Sequence, residues 1–217
     1  MDHITKKHLS SLSDMPLSAM NQENQKLKEL IQVAHKSGAS EAAIVSTRDI
    51  IVDNFLADKC REPRCPNYGL SKSCPPHVSG PSLFKKSLEK FNQAIFFKID
   101  VASEILYSSD SREVFQLLHE IAAGIEKSAV KIGFTNAQAY AGGSCKAIFC
   151  HNHLECLALF EKGKCRNPEY ARPSMSGFGI NVEKLFKAAG WTMRWVNHNN
   201  DSTTTKMANV SGLVLIC

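Results

Sequence analysis

The chain has 217 residues, 43% of them hydrophobic and 22% charged, with a formal net charge of +5. These fractions describe a globular protein of one generous domain, and they exclude a disordered, collagenous or fibrous chain. The positive charge is modest and forms no basic stripe with aromatic partners, so nucleic acid is not an expected ligand.

Residues 1–20 are polar and irregular and read as a loosely held arm, which leaves 21–217 as a single α/β domain. Leu27, Leu30, Ile31 and Ala34 keep helical spacing up to Gly38, a helix stop. Short strands are expected at 42–46 and 50–52, followed from Cys60 to Gly80 by a loop punctuated with Pro and Gly. Pro81 opens a helix carrying Leu83, Phe84, Leu88 and Phe91 on one side, and 94–101 is an apolar strand of the buried type. Val114, Leu117, Leu118, Ile121, Ile125 and Ile132 predict a long helix over 111–131, capped by Asp110 with Glu113. A strand at 137–141 delivers the chain to Gly142 and Gly143. Asn181 caps a helix over 182–189 that Gly190 stops, and strands follow at 192–196 and 210–216 around a polar loop at 197–206. Helices alternating with strands predict a layered α/β domain with a mixed sheet, the cysteine-rich loops being insertions on its edge.

The longest apolar runs, such as 213–217, fall far short of the roughly 20 residues a membrane helix needs. Residues 1–19 contain Asp2, Lys6, Lys7 and Asp14 and no continuous apolar stretch, so they do not read as a secretory signal. The expected location is the cytoplasm, where thiols stay reduced. In that setting the 8 cysteines stand out, because a core of this size needs no disulfides. Three lie at 60, 65 and 74, four at 145, 150, 156 and 165, and the last is Cys217. Inert buried thiols would be scattered through apolar elements; these are grouped in loops with Pro and Gly, which favours metal binding.

In the segment 145–180, Cys145, Cys150, Cys156 and Cys165 are separated by four, five and eight residues. Four thiolates suit tetrahedral zinc or an iron–sulfur cluster. Structural zinc knuckles use gaps of about two to four residues, and the wider gaps here favour a [4Fe–4S] cluster over Zn2+. The segment 60–77 supplies Cys60, Cys65 and Cys74, with prolines directly after the last two. Three thiolates make a second cluster site with one position left for His77, Cys217 or an exogenous ligand. Its spacing is not that of radical-SAM proteins. Lys59, Arg61, Arg64, Lys72, Lys85, Lys86 and Lys90 outnumber Glu62 and Glu89 around it, as an anionic cluster would favour. Tyr68 and Gly69 either cover this site from water or pack its loop. His151 and His153 lie between ligands and read as neighbours of the site or exposed groups.

The stretches Cys60 to Pro76 and Gly142 to Val182, with Gly190-Trp191 and 211–215, resemble a cysteine-rich bacterial and archaeal family of predicted metal-binding proteins of unknown function. The resemblance implies a metal site, presumed iron–sulfur, on Cys60, Cys65, Cys74, Cys145, Cys150, Cys156 and Cys165. It implies no reaction. Arg172, followed by Pro173 to Gly179, reads either as a cofactor-binding cradle for an anionic group or as a brace for a tight turn. No nucleophile elbow, phosphate loop, dinucleotide fingerprint or HExxH motif is present.

Three functions follow as expectations: redox chemistry with a partner protein, catalysis on a small molecule at the Cys60–Cys74 site, or a zinc-stabilised interaction module without catalysis.

Overall fold

The structure, a computed structural model, describes residues 17–193 and 207–217. Its elements run α1 (Leu17–Lys36), β1 (Glu41–Ser46), α2 (Asn54–Asp58), α3 (Gly80–Leu88), β2 (Gln93–Ala102), α4 (Ser103–Leu106), α5 (Ser111–Lys131), β3 (Gln138–Ala141), α6 (Cys145–Phe149), α7 (Val182–Ala188) and β4 (Met207–Ile216). Short 3-10 turns occupy Thr47–Asp49, Leu157–Leu159 and Met175–Phe178. Helix α1 starts at Leu17, inside the stretch expected to be an arm.

Among the described residues four strands are ordered β1-β2-β4-β3, and every pairing between them is antiparallel. The domain is α/β as expected, but its sheet is antiparallel, not mixed. The reason is an insertion. Strands β2 and β3, joined through α5, do run in the same direction, yet β4 pairs with both and lies between them.

Both faces of the sheet are covered. Ile95, Phe97 and Ile99 of β2 and Val210, Val214 and Ile216 of β4 pack on α1 and α5 through Leu27, Leu30, Leu118, Ile121 and Ile125. The alternate residues Ala94, Phe96, Leu213 and Leu215 face Phe84, Phe178, Leu185 and Phe186 on the opposite side. Each large side chain removed from water contributes about 1.5–3 kcal/mol, so the central pair anchors both layers. Gly212 is required inside β4, because a Cβ there would sit 2.4 Å from the Phe97 ring.

Local details differ from the sequence reading. The expected strand at 50–52 is a single bridge, Val52 to Ile180, after the 3-10 turn. Asp110 makes no side-chain cap; the Ser108 hydroxyl instead accepts the Asp110 amide at 3.1 Å. Asn181 does cap α7, accepting the Lys184 amide at 3.0 Å. Thr192 and Met193 carry no regular structure, and the remainder of the expected strand and the loop 197–206 lie outside the described residues.

Candidate metal centre

The first cysteine segment is a succession of tight turns. The Cys65 amide donates to the Cys60 carbonyl at 3.0 Å, Tyr68 to Cys65 at 2.9 Å, and Cys74 to Ser71 at 3.2 Å. Gly69, at φ +79°, lets its amide reach the Pro75 carbonyl at 2.8 Å and closes the loop. Cys60, Cys65 and Cys74 thereby line one cavity of about 140 Å³, together with Asn67, Tyr68, Pro75, Gly143, Ser144, Ser174 and Ser176. That is several times the roughly 30 Å³ a water molecule takes up in the liquid. Tyr68 stands in the wall of this cavity. Burial pushes the Cys60 thiol pKa up, and the neighbouring Cys65 and Cys74 thiols add to the shift.

The second segment enters the same region from β3. The Gly142 amide donates to Ser211 at 3.1 Å, and Gly143, at φ +84°, turns the chain beside Phe115. Ser144 then places its Oγ 3.4 Å from the Cys74 Sγ. Cys145, which follows at the start of α6, is buried, and burial pushes its thiol up to about 11. The Ser73 and Ser71 hydroxyls act against that shift, whereas Cys74 and Cys165 reinforce it. Ser71 is fully buried, and its hydroxyl makes no hydrogen bond of normal geometry among the described residues.

Further along, Asn167 serves two thiols. Its side-chain amide lies 3.4 Å from Cys150 Sγ, and its backbone amide 3.4 Å from Cys165 Sγ. Lys146 is buried beside them, with Nζ donating to the carbonyls of Cys150, at 2.9 Å, and His153. None of the ion pairs among the described residues includes it. A buried ammonium held only by carbonyls calls for a negative partner, and a thiolate-bound cluster is one. Lys146 is the functional candidate that sequence reasoning missed. Its only signal was adjacency to Cys145.

One short stretch ties both segments to the sheet. Ala141 bridges to Ser174, the Ser174 amide donates to Ser73 at 3.0 Å, and the Asp53 amide donates to Gly179 at 2.8 Å. Gly177 has no room for a side chain, since a Cβ would lie 2.9 Å from both Pro75 and Val78.

The family described as "Predicted metal-binding protein (DUF2284)" matches residues 43–216. The chain belongs to this family. No curated protein and no solved structure matches it.

Membership makes metal binding the family's expected property and leaves the metal and the ligands to the residues themselves. All eight cysteines are free thiols. Among the described residues, no three His, Cys, Asp or Glu side chains converge tightly enough to hold a single metal ion. The donor set nevertheless fits a thiolate-ligated group: soft ligands line a shared cavity, Ser71 offers an unused donor, and Lys146 offers an unpaired positive charge.

The other candidates separate clearly. Cys156 is half-buried at the start of the Leu157–Leu159 turn. His77 is exposed and lies 3.3 Å from the Gly69 carbonyl, outside the cavity wall. Cys217 is exposed beyond Ile216, which pairs with Gln93. At about 3.3 Å per residue it stands roughly 17 Å along β4 from Gly212, the partner of Ala141. His151 makes a local contact with the Ile148 carbonyl at 3.3 Å.

Arg172 is drawn away from a ligand cradle. Nε donates to Glu126 at 2.8 Å, Nη2 pairs with the same oxygen at 2.6 Å, and Nη1 donates to the carbonyls of Pro168 and Ala171. Those contacts describe the bracing role. The Arg172 amide donates to Nδ1 of His119 at 3.1 Å, and burial lowers the His119 pKa to about 4, with the Arg172 charge adding to the shift against the backbone groups of Gly142 and Tyr170. A larger groove of about 650 Å³, lined by Ser46, Arg48, Lys85 and Gln93 among others, contains no thiol.

Proposed function

We propose that the seven clustered cysteines hold iron–sulfur chemistry, with one complete [4Fe–4S] cluster and a second cluster on the remaining three thiolates. The function is redox: electrons pass to or from a partner protein, or a small molecule reacts at an iron with a free position. The observation that carries this reading is the cavity lined by Cys60, Cys65 and Cys74, which is roomier than one ion requires. When bound, such a cluster supplies one-electron transfer at a potential set by nearby charges and hydrogen bonds.

The chain's own residues provide that setting. The Lys146 ammonium offsets negative charge, and the Asn167 amides donate toward Cys150 and Cys165, both of which favour the more reduced state. Tyr68 and Pro75 in the cavity wall limit water at the first segment. Among the described residues no helix is long and apolar enough to cross a membrane. We place the protein in the cytoplasm, with the reduced thiols that cluster assembly requires.

Reduction of the anaerobically purified protein with dithionite tests this. The expected result is a brown protein whose broad visible absorption bleaches and returns on reoxidation. A colourless protein stabilised by zinc, unfolding when a chelator is added, would instead establish the non-catalytic module.

A further inference from the structure

The spacing of the cysteines along the chain divides them into a group of three and a group of four. In the folded chain, contacts cross between the two groups. Ser144, immediately before Cys145, is hydrogen-bonded to Cys74, 70 residues away, at 3.4 Å. Gly143 and Ser144 also help to line the cavity of Cys60, Cys65 and Cys74. The Ser73 and Ser71 hydroxyls, both in the first segment, act on the Cys145 thiol. Ser71 is fully buried, and its hydroxyl makes no hydrogen bond of normal geometry to any other described residue. Cys150 and Cys165 each accept from one amide of Asn167, the side-chain and the backbone one respectively.

We infer that Cys145 is the fourth protein ligand of the Cys60–Cys65–Cys74 site, so that this site is the complete one and Cys150, Cys156 and Cys165 form the three-thiolate site. The assignment rests on the metal-binding reading above, and it moves the open coordination position to the second segment. It also removes the need for His77 or Cys217 as a ligand. Cys165 also acts on the Cys145 thiol, as Cys74 does.

Anaerobically purified wild type, C60S, C145S, C165S and the double variants C60S/C145S and C145S/C165S test the assignment through iron, zinc and acid-labile sulfide per chain. The expected result is that C60S and C145S each lose the same share of metal, about half if both sites are filled. The double variant C60S/C145S then loses no more than either single change, and C145S/C165S loses all. If C145S instead matches C165S, and their double variant loses no more than either, the assignment is overturned.

Wild-type protein gives a second reading that does not depend on the variants folding. Under slow chelation, alkylation should reach Cys145 in step with Cys60, Cys65 and Cys74; exposure in step with Cys150, Cys156 and Cys165 overturns the assignment. A zinc protein without sulfide would end the iron–sulfur reading, while the same grouping in the zinc counts would still uphold this one. A wild-type protein holding neither metal overturns both.

Discussion

The two cysteine segments differ in what is added to their backbone turns. The first is shaped by its own backbone: turn hydrogen bonds from Cys60 to His77, a left-handed glycine at Gly69, and the close approach of Gly177 to Pro75. The second has a short helix, α6, and backbone turns of its own, and adds side-chain contacts, with Lys146 on two carbonyls and Asn167 on two thiols. A site held by a buried, unpaired ammonium gains its full stability only when the negative group arrives. The Cys150–Cys156–Cys165 site, which holds that ammonium, should therefore depend on loading more than the Cys60–Cys65–Cys74 site does.

The largest expected effect comes from the clamp common to both. Glu126 holds Arg172 through its Oε2 and the Ala139 amide through its Oε1, which fixes β3 against the stretch that carries Ser174. Glu126→Ala leaves a largely buried guanidinium without its carboxylate, a loss of about 3–5 kcal/mol. Denaturant unfolding should show it, with metal content falling at both segments. Loss confined to one segment would break the idea of a shared clamp.

Acid tests the same junction. His119 is neutral when folded, with a pKa of about 4 against about 6.5 unfolded, so the unfolded state binds more protons between those values. Its contribution is whole above pH 6.5 and is lost as pH falls toward 4, a decline of about 3 kcal/mol. His119→Gln, which can still accept the Arg172 amide, should flatten that part of the stability curve. An unchanged slope would mean that other groups govern it.

Two smaller changes sharpen the comparison between the segments. Lys146→Met removes charged hydrogen bonds worth about 1.5–3 kcal/mol and should lower metal retention at the second segment alone. Gly177→Ala crowds Pro75 and Val78 at a cost of about 1–3 kcal/mol and should lower it at the first. Metal released per site on titration with a chelator reads both. Identical behaviour of the two variants would erase the distinction.

Where periodicity was strong, the sequence was a good guide: α5 spans Ser111–Lys131 as its apolar spacing predicts, and the apolar run at 94–101 lies inside β2. Pairing order was not legible, because the alternation of strands and helices says that β2 and β3 run parallel but nothing about a C-terminal strand entering between them. The cysteines were legible as two groups, whereas the proximity of Ser144 to Cys74 spans 70 residues and exists only in the folded chain. Arg172 is similar. Its sequence context fits a cradle or a brace, and only the position of Glu126 on α5 decides where the guanidinium goes.

Iron and acid-labile sulfide per chain, in protein purified without oxygen, decide whether the cysteines hold an iron–sulfur cluster. The expected result is a brown protein containing iron and sulfide in equal amounts. A colourless protein with stoichiometric zinc and no sulfide would contradict it.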